Sequence, residues 1–279
     1  MQTSEVLRRY RLIELLAYWE GRVSSTHLCQ FFGISRQQAA KDIGHYRDET
    51  GNLEYDASAR GFTPVEPFKL HHISGDVAEY LGWMTGRSAH STPDSPSFCL
   101  PYVALQHPPR NVSPYVIRPL VQALRQQRRV EVDYVSVSNP SRDGRIIVPH
   151  TFVNTGLRWH LRAWCEKSGE YRDFVLSRFR GEPELLDRSE CTGADDHAWH
   201  TEVIIILKPD PRLSAAKQDA LIHDYGMQNG ELRLTTRAAL AQYLLQEMQV
   251  NVKMIDGSPE AQQLILANLD EVKPWLFNS

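Results

Sequence analysis

No apolar run in this 279-residue chain approaches the roughly 18 residues that span a bilayer, and residues 1–11 lack the apolar core of a secretion signal. A cytoplasmic protein with no membrane segment is expected. Cysteine is sparse and badly spaced: Cys29, Cys99, Cys165 and Cys191 form no C-x-x-C pair, which speaks against a disulfide framework and against a cysteine zinc site. Catalytic signatures are missing too. The chain holds no P-loop, no glycine-rich dinucleotide motif, no H-E-x-x-H and no nucleophile elbow, so neither an enzyme nor a cofactor is expected. Lysine is nearly absent from residues 110–182, where 12 of 13 basic residues are Arg against 7 acidic ones. Arginine presents a planar fork suited to phosphate and carboxylate. Residues 183–279 are the reverse, with 8 basic and 15 acidic, so the net charge of −3 conceals a basic middle and an acidic end.

What is present begins with a helical pattern. Val6, Leu7, Tyr10, Ile13, Leu16 and Ala17 recur at helix spacing, and Gly21 closes that segment. Ser24 or Ser25 can cap a second helix through Phe32, Gly33 supplies a tight turn, and Ser35 caps a third helix reaching about Glu49. Leu28, Phe31, Ile34, Ala39 and Ile43 face inward. This is the pattern of a helix-turn-helix, whose second helix enters the major groove of double-stranded DNA. The polar face following Ser35 carries Arg36, Gln37 and Gln38, residue types that read guanine and adenine edges. Lys41, His45 and Arg47 are expected on phosphates. Leu53–Asp56 and Gly61–Thr63 flank Ala57–Arg60 as a wing, with Arg60 at its tip. A helical protein-binding domain with a hairpin is the alternative.

Pro64 and Pro67 close this part. A helix is expected over 77–83, a Ser/Pro-rich loop over 88–101, and a second helix from Pro114 to near Arg128. Strand-like alternation appears at Val130–Val135, Arg145–Pro149, Leu157–Cys165 and Tyr171–Leu176, with a turn over 138–144. Trp159, Leu161 and Ala163 share one strand face, expected to be core. Arg158, His160, Arg162 and Trp164 share the other.

Arg145-Ile-Ile-Val-Pro-His150, Arg158-Trp-His-Leu-Arg-Ala-Trp-Cys165 and Phe174-Val-Leu-Ser-Arg-Phe179 resemble the WYL domain, named for a Trp-Tyr-Leu triplet. His160 replaces the name-giving Tyr. The order of parts resembles WYL transcriptional regulators, nearest those encoded beside BREX and CBASS phage-defence operons. The resemblance implies a multidomain α+β protein: a winged helix-turn-helix over 1–64, a helical connector over 65–127, an Sm-like β-barrel over 128–190, and an α+β dimerisation extension over 191–279. It also implies a homodimeric repressor of an inverted-repeat operator, with a pocket for a nucleotide or nucleic-acid fragment. Strand alternation selects Tyr134, Ser136, His150, Arg158, His160, Arg162, Arg178 and Arg180 for that pocket, with a purely structural role for His150 as the alternative. A ligand-dependent activator and a nucleotide-processing enzyme are the other readings of the whole chain.

In the acidic end the pattern predicts a strand at Val203–Leu207, a helix over 214–225, a strand at Glu231–Leu234, a helix over 236–248, a strand at Val250–Ile255 and a helix over 259–269. Cys191, Asp195, Asp196, His197 and His200 cluster at its start. Without a fourth ligand at standard spacing they are read as a loop, not a zinc site.

Overall fold

The computed structural model describes residues 4–87, 98–105, 108, 110–137, 143–252 and 258–277. The chain divides into two compact units, Met1–Gln106 and His107–Ser279.

The first unit opens with α1 (Ser4–Glu20), α2 (Ser25–Phe32) and α3 (Arg36–Thr50), followed by the hairpin β1 (Leu53–Asp56) and β2 (Gly61–Pro64) and by α4 (Val77–Met84). The expected α1 stripe is buried at Tyr10, Ile13, Leu16 and Ala17, whereas Leu7 is exposed and Leu12 and Leu15 take its place in the core. Glu14 is fully buried among them. Its carboxylate accepts from Tyr46 Oη at 2.8 Å and from the backbone N–H groups of His71 and His72 at 2.7 and 3.0 Å, so the charge is held by three donors. Gly33 ends α2 at φ 64°, and Ser35 Oγ accepts from Gln38 N, the cap that starts α3. Leu28, Phe31, Ala39 and Ile43 pack inward with Tyr46 and, from α4, Trp83 and Met84.

In the hairpin, Asp56 Oδ1 accepts from the Ser58 and Ala59 backbone and from the Ser58 hydroxyl, which fixes the turn. Val23 and Phe62 exchange two backbone hydrogen bonds of 2.8 Å, pinning the wing to the segment between α1 and α2. Gly61 is needed there, because a Cβ would lie 2.9 Å from Val23 O.

In the second unit α5 (Pro114–Gln126) packs on a five-stranded antiparallel sheet. Its strands are β3 (Arg128–Tyr134), β4 (Asp143–Asn154), β5 (Trp159–Cys165), β6 (Glu170–Val175) and β7 (Phe179–Arg188), in the order β6-β5-β4-β3-β7. The stretch 65–127, read as a connector, thus supplies α4 to the first unit and α5 to the second. The expected 138–144 turn falls mostly outside the described residues, as does most of the 88–101 loop. Strand β7 was not foreseen in the sequence.

The expected Sm-like barrel is not closed among the described residues: β6 and β7 are the two sheet edges and share no ladder. The sheet is nevertheless curled. Laid flat, its edges would stand about 19 Å apart at ~4.8 Å per strand. Only the 3₁₀ turn Leu176–Arg178 joins Val175 to Phe179, four chain steps that reach at most ~14 Å. Tyr134 spans the gap from inside, its hydroxyl accepting from Val175 N at 3.0 Å. The barrel stays open because the edge backbones meet through this turn and this side chain instead of through strand pairing.

The unit continues with α6 (His197–His200), β8 (Glu202–Pro209), α7 (Ala215–Asp224), β9 (Leu232–Arg237), α8 (Ala241–Glu247), β10 (Leu264–Leu266) and α9 (Leu269–Val272), with sheet order β10-β8-β9. Ile205, Leu207, Leu245, Leu264 and Val272 form its core. Two expectations fail here. The helix predicted over 259–269 is replaced by β10, because the free edge of β8 needs backbone partners: Leu264–Leu266 pair with it, while Asp210 N donates to Gln263 O and Ala267 N to Ile206 O. The strand predicted at Val250–Ile255 is absent at 250–252, and 253–255 lie outside the described residues.

Candidate nucleic-acid interface and the arginine-rich sheet

Arg36, Gln37, Lys41 and His45 stand exposed on α3 with Ala40 and half-buried Gly44 among them. Among the described residues none of those four side chains has a hydrogen-bond or ion-pair partner within the protein. Arg60, at φ 50°, is exposed at the wing tip. Two neighbours are placed differently. Gln38 is half-buried and its amide donates to Asp42 Oδ1 at 2.9 Å, while Asp42 Oδ2 accepts from Arg9 Nε at 2.6 Å. Gln38 therefore helps lock α3 to α1. Arg47 pairs with Asp48 at 2.7 Å and lies 6.0 Å from the Phe62 ring, turned toward the wing. The result is a rigid helix presenting donors and acceptors beside a basic hairpin tip, the arrangement that reads a groove and grips its backbone.

The eight residues expected to line the sheet pocket do not come together as one open surface. Tyr134 is core, edge-on to Phe174 and Phe179. Ser136 is half-buried just beyond β3. Arg162, 6% exposed, makes a fork to Asp196: Nε donates to Oδ2 at 2.6 Å and Nη2 to Oδ1 at 3.0 Å. Its remaining arm reaches Asp173 Oδ1 at 3.2 Å, and Tyr243 Oη donates to Asp173 Oδ2 at 3.1 Å. His150 Nε2 lies 3.1 Å from Asp196 Oδ2 and Nδ1 lies 2.8 Å from Thr151 Oγ1. Arg180 is exposed, its guanidinium donating to the Ser177 and Phe179 carbonyls. Arg158 and Arg178 are half-buried.

Electrostatics separate the two carboxylates on Arg162. Burial works against an ionised Asp196, but hydrogen bonds from His150 and Arg162 outweigh it and hold the carboxyl at about 2. Asp173 receives one arm of the fork, and burial, only partly offset by Arg162, pushes its carboxyl above the ordinary range. His160 is 4% exposed, its ring 5.0 Å from that of Tyr243, and neither ring nitrogen has a partner among the described residues. Burial, with Arg158 and Arg178 adding repulsion, pulls it down to about 4, so it is neutral at pH 7.

Asp173, Asp196 and Tyr243 were not foreseen as members of this constellation. Asp196 was read as part of a loop, although it caps α6 by accepting from Trp199 N, a pattern visible in sequence only as an Asp before a short helix. Trp159, expected in the core, is 52% exposed. His197 stacks on Trp275, and His200 Nε2 lies 2.8 Å from Gly193 O.

Three family descriptions match this chain in order. Residues 5–86 match the winged helix-turn-helix domain of BrxR transcriptional regulators. Residues 109–181 match the WYL domain, and residues 202–272 match the BrxR C-terminal dimerization domain. Asp196 falls between the last two. The chain is 35% identical to the DNA-binding transcriptional repressor CapW of Escherichia coli (strain KTE188) over 270 residues, 95% of this chain and 90% of the relative. It is 34% identical to CapW of Pseudomonas aeruginosa over the same shares of both chains, and 29% identical to that of Stenotrophomonas maltophilia over 96% and 91%. With a winged helix, a WYL domain and a dimerization domain in that order, this chain belongs to the CapW family of DNA-binding transcriptional repressors.

Proposed function

We propose that this protein represses transcription by binding an inverted-repeat operator as a homodimer, each copy laying α3 in a major groove. The observation that carries this reading is the free polar face of Arg36, Gln37, Lys41 and His45 beside Arg60 of the wing. Arg36 and Gln37 at the helix start read base edges, whereas Lys41 and Arg60 neutralise phosphates and His45 contacts the backbone beside them. Gln38 supports the reading helix from behind. In this reading residues 1–64 bind DNA, 65–127 connect, 128–190 sense a nucleotide or nucleic-acid fragment, and 191–279 dimerise. The controlled genes are a phage-defence operon. Ligand relieves repression by binding one dimer geometry better than the other.

The test is a gel shift of the full-length protein on DNA upstream of its own coding sequence, with scrambled competitor at moderate salt, where phosphate-only binding weakens steeply. Specific retention that collapses in Arg36→Ala supports the proposal. Retention insensitive to Arg36→Ala, or equal binding to scrambled DNA, overturns it.

A further inference from the structure

Arg22 stands between α1 and α2, outside the reading helix and outside the wing, yet its side chain reaches the wing tip. Its guanidinium Nη2 donates to the Arg60 carbonyl at 3.3 Å. Gly61 makes this reach possible. Its φ lies outside the left-handed region, so its backbone angle does not demand glycine. Space does: a Cβ would lie 2.9 Å from Arg22 Nε and 3.3 Å from Arg22 Cγ. The arginine stem crosses the hairpin where the backbone is bare, and the Val23–Phe62 pairing anchors the chain on which Arg22 sits.

Arg60 sits at φ 50°, a region that an L side chain enters at a steric cost and that glycine suits better. An arginine there keeps a charged side chain at the tip despite backbone strain, a mark of a working residue. Two cations thus share one tip. Among the described residues neither guanidinium has an ion-pair partner. The carboxylates of this region are placed elsewhere. Asp56 Oδ1 is taken by the Ser58 and Ala59 N–H groups and the Ser58 hydroxyl, and Glu54 lies on β1 opposite Thr63. Glu20, at the end of α1, accepts from Tyr80 Oη at 3.0 Å. Like charges at one tip repel, and an anion shared between them turns that repulsion into attraction. Guanidinium forks match the paired oxygens of a phosphate.

We infer that Arg22 is a further DNA-contacting residue, closing with Arg60 on the phosphate backbone of the duplex beside the groove that α3 enters. The inference rests on the reading of the first unit as DNA-binding. It adds to that unit a residue from the α1–α2 segment, so the grip at the wing comes from two positions 38 residues apart in sequence.

Gel shifts of the full-length protein at several salt concentrations test this, on DNA upstream of its own coding sequence and on an unrelated duplex. Each neutralised phosphate adds about 0.9 to the slope of log affinity against log salt, so Arg22→Gln and Arg60→Gln are each expected to reduce the slope by about 1 on both duplexes. Arg22→Lys, which keeps the charge, retains the parent slope. A residue that only braced the wing would lower the melting point in Arg22→Gln and leave the slope unchanged. The parent slope in Arg22→Gln, or a slope lost equally in Arg22→Lys, overturns the inference. Operator preference with a slope independent of Arg22 removes this contact and keeps the repressor reading. A slope dependent on Arg22 without operator preference removes the repressor reading and keeps the contact. A protein that binds neither duplex overturns both.

Discussion

Asp196 and His160 are opposite solutions to burying a titratable group, and both make stability depend on pH. Asp196 has its carboxyl held at about 2 against an ordinary 3.8, so the folded state gives up that charge later than the unfolded chain does. Its contribution is complete above about pH 4 and is lost as pH falls toward 2, about 2 kcal/mol in all at 1.36 kcal/mol per unit. His160 works higher up the scale. Its imidazole is held at about 4 against 6.5, so below pH 6.5 the unfolded chain takes up a proton that the folded one refuses. Stability therefore falls between pH 6.5 and 4, by about 3 kcal/mol at most. Denaturant unfolding at pH 7, 5 and 4 checks this, with His160→Phe expected to remove the fall between 6.5 and 4 and to stabilise the protein at pH 5. An unchanged pH profile in that variant refutes the assignment. Asp196→Ala strands the Arg162 guanidinium without its main partner, a loss of about 3–5 kcal/mol expected for breaking a buried pair, visible as a lowered unfolding midpoint at pH 7.

Helix α3 and the hairpin after it carry two glycines with opposite requirements. Gly44 sits mid-helix with nothing within 4 Å of a Cβ, so Gly44→Ala is expected to raise stability by about 0.5–1 kcal/mol, read by thermal melting. Gly61→Ala drives a methyl against the Val23 carbonyl and lowers the melting point instead. In the proposed DNA complex the residues of the helix face divide by role. Lys41→Ala is expected to weaken binding about equally on operator and unrelated DNA and to reduce the salt slope by about 1, whereas Arg36→Ala is expected to weaken operator binding by ~1–3 kcal/mol and to relax sequence preference. Competition shifts at several salt concentrations distinguish them, and a Lys41→Ala effect confined to operator would contradict the phosphate role.

In the second unit, the curled sheet is tied to the start of α6 and to α8 by Arg162, Asp173, Asp196 and half-buried Tyr243, a set in which each polar group is partnered. Any rearrangement between the sheet and these helices has to break charge-assisted hydrogen bonds, so they move together or in a discrete step. As a homodimer, the protein is expected to melt at a higher temperature as its concentration is raised, because association stabilises the folded state by mass action. A melting point independent of concentration across a hundredfold range argues for a monomer.

The winged helix was legible from the sequence because every signal it needs is local: the α1 stripe, Gly33, the Ser35 cap and the Ala57–Arg60 turn each act within a few residues of chain. The same locality exposed Arg36, Gln37 and Lys41 as candidates, since helix periodicity alone places them outward. Gln38 lies at the edge of that face, and its bond to Asp42 depends on how α3 meets α1. In the second unit, alternation gave β3 to β6 but neither β7 nor the closure of the sheet, because whether β6 pairs with β7 depends on how two sheet edges meet in space. Alternation also misplaced Trp159, since burial at a strand start depends on what covers it. Helix propensity over 259–269 lost to the unpaired edge of β8, about 60 residues earlier in the chain. Arg162 was recognisable as a functional type, but whether an arginine waits for a ligand or is held by carboxylates depends on Asp173 and Asp196, 11 and 34 residues away. The sequence alone determined the features set by neighbours along the chain, and tertiary structure decided which charges remain free, because charge pairing acts through space.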